Sequence, residues 1–268
     1  MDIVMAHQWM FNLFAFIFGA VVGSFLNVCI YRLPRSESLV FPASHCPKCG
    51  NAIPPYHNIP IISYLVLKGR CRSCGERISP QYPVVETTNA LLAMLLFMKF
   101  GISLTFLFLF VFCSALVVIT FIDLEHRIIP DVISLPGIAV GFISSFFVQA
   151  PGLQNSMSGW INSLIGILAG GGTLFLVAFA YHLLTGKEGM GGGDIKLLAM
   201  MGAFLGWVAV PFIIFASSLT GSIIGISLML AQKKDTKLAI PFGPFLAFGA
   251  ILYVFCGKDI IDWYMNFR

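Results

Sequence analysis

The segment ISLTFLFLFVFCSALVVITFI, residues 102–122, decides the fold. It holds no Asp, Glu, Lys or Arg and stops at Asp123. A helix that crosses a bilayer needs only ~20 such residues. Four further stretches, 3–31, 132–186, 197–232 and 238–257, are equally free of charge. Of the 268 residues, 58% are hydrophobic and 10% charged, whereas soluble domains carry about 25% charge. Mean hydropathy is +0.90. These figures exclude a water-soluble enzyme and predict an all-α polytopic membrane protein. The net charge of +4 does not point to nucleic acid, because the basic residues cluster where they would flank a membrane.

Divided at Pro, Gly and polar punctuation, the apolar stretches predict about eight transmembrane helices. They run over 9–31, 84–100, 102–122, 132–148, 160–184 and 240–256, with two more from 197–232 split near Gly206. Basic residues gather on the cytosolic side of membrane proteins. With both termini outside, 13 of the 16 Lys and Arg fall in the inside segments 32–83, 123–131, 185–196 and 232–239. No Lys or Arg precedes Arg32, so residues 1–31 read as a retained anchor helix rather than a cleaved signal. The chain thus divides into this anchor, a cytosolic segment over 32–83 and a membrane bundle over 84–268.

The cytosolic segment contains Cys46-Pro47-Lys48-Cys49-Gly50 and Cys71-Arg72-Ser73-Cys74-Gly75. Two C-x-x-C knuckles separated by 21 residues come close to the spacing of zinc-ribbon sites. Each knuckle sets two thiolates on one tight turn, and two knuckles complete a tetrahedral shell. The cytosol disfavours disulfides, and about fifty residues with few large apolar side chains build little core. A structural Zn2+ on Cys46, Cys49, Cys71 and Cys74 supplies the missing stability. Two disulfides or idle thiols are the alternatives. Cys29, Cys113 and Cys256 lie within spans and read as packing residues.

Acidic residues near a bilayer are costly and invite explanation. Asp123 ends the third span, and Asp194 opens the sixth after Gly189-Met190-Gly191-Gly192-Gly193. The topology places both at the cytosolic ends of their helices, where two helices of one bundle can bring the carboxylates together. Two carboxyls sharing a proton and a water are what aspartic-protease chemistry requires. The glycines before Asp194 would admit close backbone approach, by a partner helix or by an extended substrate. Plainer uses remain open. Asp194 fits an N-cap, Asp123 a boundary acid paired with Lys196 or Arg127, and Glu125-His126-Arg127 a solvated loop. Asp131, after Pro130 and before an apolar run, reads as the N-cap of the fourth helix.

Taken together, these segments resemble the type IV prepilin peptidases, bifunctional leader peptidase/N-methyltransferases of the G-x-G-D aspartic membrane protease class. The resemblance begins with Gly23-Ser24-Phe25-Leu26-Asn27-Val28 and Tyr31-Arg32-Leu33-Pro34. It runs through both knuckles, with Asn58-Ile59-Pro60 and Leu67-Lys68-Gly69-Arg70 between them. It continues with Ile78-Ser79-Pro80-Gln81-Tyr82-Pro83-Val84-Val85-Glu86, then Ile122-Asp123, Ile129-Pro130-Asp131 and Gly191-Gly192-Gly193-Asp194. It implies an enzyme that removes the short basic leader of prepilins or pseudopilins at the cytosolic face of the inner membrane. The same enzyme then methylates the new N-terminal amine from S-adenosylmethionine. The family's catalytic aspartates map onto Asp123 and Asp194. No G-x-G-x-x-G follows a strand, so no Rossmann-type site is readable. By resemblance the methyl donor is expected at the cytosolic loop and adjoining helix ends, with Gly23, Asn27, Arg32 and Glu86 as candidates. Orientation of the loop is their other reading. His57 departs from the pattern, since relatives often carry an acid before Asn58.

A proton-coupled transporter fits poorly, because the acids cluster at one face and broken-helix repeats are not evident. A non-enzymatic pilus or secretion assembly factor, docking through the zinc loop, leaves the G-x-G-D element unexplained. A peptidase that has lost methylation is the remaining alternative.

Overall fold

The computed structural model describes residues 2–148, 158–187, 191–232 and 241–266. Residues 151–157 of the expected polar hairpin, and Lys233, Lys234 and Lys237 of the topology argument, lie outside the described residues. Among those described, the regular elements are helical: α1 (Asp2–Arg32), α2 (Ile62–Val66), α3 (Gln81–Phe100), α4 (Leu104–His126), α5 (Asp131–Ser144), α6 (Gly159–Thr185), α7 (Gly192–Leu205), α8 (Ala209–Gln232), α9 (Gly243–Leu252) and α10 (Lys258–Asn266). A π-helical turn, Tyr253–Gly257, joins the last two.

Among the described residues, six apolar helical segments are long enough to cross a membrane: Gln8–Arg35, Gln81–Phe100, Leu104–His126, Gly159–Thr185, Ala209–Ala231 and Gly243–Tyr264. The chain is a multi-pass membrane protein. Length does not support a count of eight spans, because α5 and α7 have 14 residues each. At 1.5 Å per residue that is about 21 Å, short of the ~30 Å hydrocarbon core. The stretch 197–232 does break where expected, at Gly206, whose φ of +80° suits glycine.

The chain forms two compact units, residues 1–118 and 119–268, with the boundary inside α4. In the first, α1 lies directly against α3. A Cβ on Gly19 would sit 2.6 Å from the Ala93 Cβ, and one on Gly23 would sit 2.8 Å from the Glu86 Cα. This small-xxx-small spacing lets two membrane helices touch backbone to backbone. Asn89, fully buried, donates to the Gly19 carbonyl at 2.8 Å and accepts from Ser114 Oγ at 2.9 Å, tying α1, α3 and α4 together.

The second unit is built around α7. Every residue from Leu197 to Leu205 is buried, which explains why this helix is apolar on all sides. α6 and α5 enclose it. A Cβ on Gly166 would strike the Gly202 carbonyl, and one on Gly202 would strike the Gly166 carbonyl. Ser163 Oγ donates to the Ala203 carbonyl at 2.7 Å. On the α5 side, Gly137 and Gly141 receive Met200 and Phe204. A helix enclosed by protein need not match the bilayer thickness, so α7 can be short.

Candidate active site and metal centre

Asp123 lies in the last turn of α4 and is buried. Its Oδ2 accepts the backbone N–H of Gly243, the first residue of α9, at 3.0 Å. A Cβ at position 243 would lie 2.6 Å from the same oxygen, so a side chain there would force the carboxylate to turn. Asp194 lies in the first turn of α7 and is partly exposed. Gly193, the residue before it, packs on Ile129, which also packs on Gly243 beside Asp123. Ile129 lies between α4 and α5, its Cβ 2.9 Å from a Cβ built on Gly193. The start of α7, the start of α9 and the end of α4 therefore converge on one spot. The N-termini of α7 and α9 place partial positive charge beside the two acids.

The glycine run divides its work. Gly193 meets Ile129, whereas a side chain at Gly192 would meet nothing within 4 Å and one at Gly191 would graze only Asp194 and Gly193. Among the described residues, nothing fills the space beside Gly192. Asp194 is not an N-cap: Gly191 holds that position, and no side chain caps α7. Asp131 is not one either, because Pro130 precedes α5 as its cap residue. Both carboxylate oxygens of Asp131 instead accept from Lys196 Nζ, at 2.7 and 2.8 Å. Lys196 is thereby taken by Asp131 rather than by Asp123. Gly243 was not singled out in the sequence. A backbone donor carries no side-chain signature, and the Pro241-Phe242-Gly243-Pro244 run reads only as a helix start.

The four thiols Cys46, Cys49, Cys71 and Cys74 form one cluster, with all sulfurs within 4.8 Å of one another and Cys46 Sγ 3.9 Å from Cys74 Sγ. Tetrahedral Zn–S bonds of ≈ 2.3 Å set sulfurs about 3.8 Å apart, so the donor set fits a metal ion. The knuckles repeat each other. Gly50 donates to the Cys46 carbonyl and Gly75 to the Cys71 carbonyl, each at 2.9 Å, with φ near +70° at both glycines. Backbone N–H groups of Cys74 and Ser73 hold the Cys71 thiol down at about 7. With four sulfur ligands the shell is closed, which suits a structural ion.

The four candidates for methyl-donor binding all lie in the first unit, and each has a structural partner there. Gly23 is the α1–α3 contact. Asn27 donates to the Tyr82 carbonyl at 3.1 Å. Arg32, buried, donates to the carbonyls of Ser38 and Pro42 at 2.7 and 2.6 Å. Glu86, also buried, accepts the Ile61 N–H at 2.7 Å and is hydrogen-bonded to Ser24. His57 faces Arg72, Nε2 to guanidinium 2.9 Å.

Comparison with known proteins fits this architecture. The bacterial peptidase A24 N-terminal domain matches residues 17–100, and the type IV leader peptidase family matches residues 110–226. The chain belongs to the type IV leader peptidase family. It is 37% identical to a prepilin leader peptidase/N-methyltransferase of Aeromonas salmonicida, covering 96% of this chain and 95% of the relative. It is 36% identical to one of Pseudomonas aeruginosa over 100% and 98%, and 34% identical to one of Legionella pneumophila over 99% and 98%. No solved structure matches.

Proposed function

We propose that the chain is an aspartic endopeptidase of the bacterial inner membrane that cleaves prepilins or pseudopilins and methylates the new N-terminus. The observation that carries this reading is the convergence of the end of α4 with the starts of α7 and α9, which bear Asp123, Asp194 and Gly243, around Ile129. Asp123, with Gly243 N–H on Oδ2, serves as the carboxylate, and Asp194 carries the shared proton. Asp123 takes a proton from water, the oxygen adds to the scissile carbonyl carbon, and Asp194 protonates the carbonyl oxygen. The resulting gem-diol returns a proton to Asp194 as the C–N bond breaks, and Asp123 protonates the departing amine. Both carboxyls end as they began.

A prepilin keeps its hydrophobic helix in the bilayer and its leader outside, so its scissile bond lies at the boundary. The distribution of basic residues supports a cytosolic site, with both termini outside. S-adenosylmethionine supplies an electrophilic methyl group to the freed amine. Among the described residues no Lys, Arg or His forms an ion pair with Glu86. Its buried carboxylate therefore suits a cationic sulfonium, with Gly23 beside it, whereas Asn27 and Arg32 shape the loop. Zn2+ on Cys46, Cys49, Cys71 and Cys74 holds that loop and takes no part in cleavage.

The test is a cleavage assay on a prepilin peptide in liposomes with labelled S-adenosylmethionine. Wild type cuts and transfers label, and folded Asp123→Asn and Asp194→Asn do neither. Near wild-type cleavage by either variant would overturn the dyad.

A further inference from the structure

Residues 32–83 expose large apolar side chains that no helix packing accounts for. Val40, Phe41, Ile62, Leu65 and Val66 are all more than half exposed, Phe41 at 76% and Val66 at 73%. Soluble loops seldom show so many together. They fall into two groups, Val40 with Phe41 and the short helix α2, and hydrogen bonds fix the depth of each. The Arg32 guanidinium, at the last residue of α1, grips the carbonyls of Ser38 and Pro42 and so pins the Val40-Phe41 turn to that helix end. Ile61, immediately before α2, donates to Glu86 at 2.7 Å.

Glu86 is five residues into α3, about 7.5 Å along its axis. α3 has 20 residues, about 30 Å, so it only just spans the hydrocarbon core. The tether therefore brings α2 to the depth where acyl chains meet headgroups. Charge agrees. Segment 32–83 holds seven Lys and Arg against Glu37 and Glu76. Lys68 and Arg70, both exposed, follow α2 directly, and Arg35 and Arg72 are exposed as well. Apolar side chains at boundary depth with long cationic side chains beside them are the pattern of an interfacial membrane contact.

We propose that this loop is seated on the lipid leaflet at the N-terminal end of α3. Val40, Phe41, Ile62, Leu65 and Val66 enter the acyl boundary, and the neighbouring Lys and Arg meet anionic phospholipid.

The test uses the full-length protein in vesicles of phosphatidylcholine, with or without phosphatidylglycerol. A photoreactive p-benzoylphenylalanine is incorporated in place of Phe41, Leu65 or Val66, and in place of Lys48 as a control on a knuckle. Irradiation is expected to give phospholipid adducts by mass spectrometry at the first three positions and several-fold fewer at the fourth. Lipid adducts no commoner than at the control, or adducts to a second copy or to added prepilin peptide, would overturn the proposal. On the unmodified protein, amide hydrogen exchange over residues 62–67 should slow several-fold when phosphatidylglycerol is present. Exchange that ignores the anionic lipid would overturn the charge selectivity.

Discussion

Gly243 directs its backbone N–H at Oδ2 of Asp123, 3.0 Å away across 120 residues of sequence. That bond fixes which way the carboxylate faces. It also makes position 243 intolerant of a side chain. Gly243→Ala keeps the N–H but sets a methyl 2.6 Å from Oδ2, so the carboxylate must turn. A misplacement of about 1 Å can cost on the order of 10²-fold in rate. The expected result is a fall of that order in kcat with KM little changed, measured on a prepilin peptide. Unchanged kcat would remove Gly243 from the machinery.

Gly166 and Gly202 touch backbone to backbone between α6 and α7. Overpacking usually costs 1–3 kcal/mol and sometimes more, and here the obstacle is a carbonyl rather than a flexible side chain. Gly202→Val is expected at or above the top of that range. Thermal unfolding in detergent reads it directly, with wild-type stability as the contrary outcome.

The Asp131–Lys196 pair is exposed at both ends, and such pairs contribute about 0–1 kcal/mol. Asp131→Asn and Lys196→Met should each leave the unfolding midpoint nearly unchanged. A cleavage rate that falls more than tenfold in a variant of normal stability would give the pair a part in catalysis that its geometry alone does not require.

Removal of the metal should separate the two activities. Chelation, or Cys46→Ser, is expected to loosen residues 32–83 and abolish methyl transfer while sparing most of the cleavage. Proteolysis within the loop, assayed beside both reactions, reports the effect. Immediate and reversible loss of cleavage with the loop intact would contradict a structural ion.

Glu86→Gln keeps an acceptor for the Ile61 N–H and discards the charge. Methylation is expected to drop at least tenfold with cleavage and folding retained. Equal loss of both activities would point to a structural defect instead.

The acids and the thiols were legible in the sequence because each breaks a pattern: carboxyls at the edges of charge-free runs, paired cysteines in a basic loop. What escaped was whatever depends on neighbours. α7 reads as a span because hydropathy does not distinguish a side chain facing lipid from one facing Phe204's neighbours on α5 and α6. Asp131 has the sequence context of a cap, but Lys196, 65 residues away, is the partner it takes. The contribution of Gly243 is a backbone hydrogen, invisible in any residue-type pattern.

The span between Asp123 and Gly243 also sets a clock. Ribosomes add about 5–20 residues per second, so Asp123 enters the membrane on the order of ten seconds before the residue that orients it. Asp194 arrives in the interval, and its helix needs α5 and α6 already beside it. A nascent chain therefore passes most of its synthesis with its acids unaligned. The order of translation thus separates the making of these acids from their alignment by Gly243.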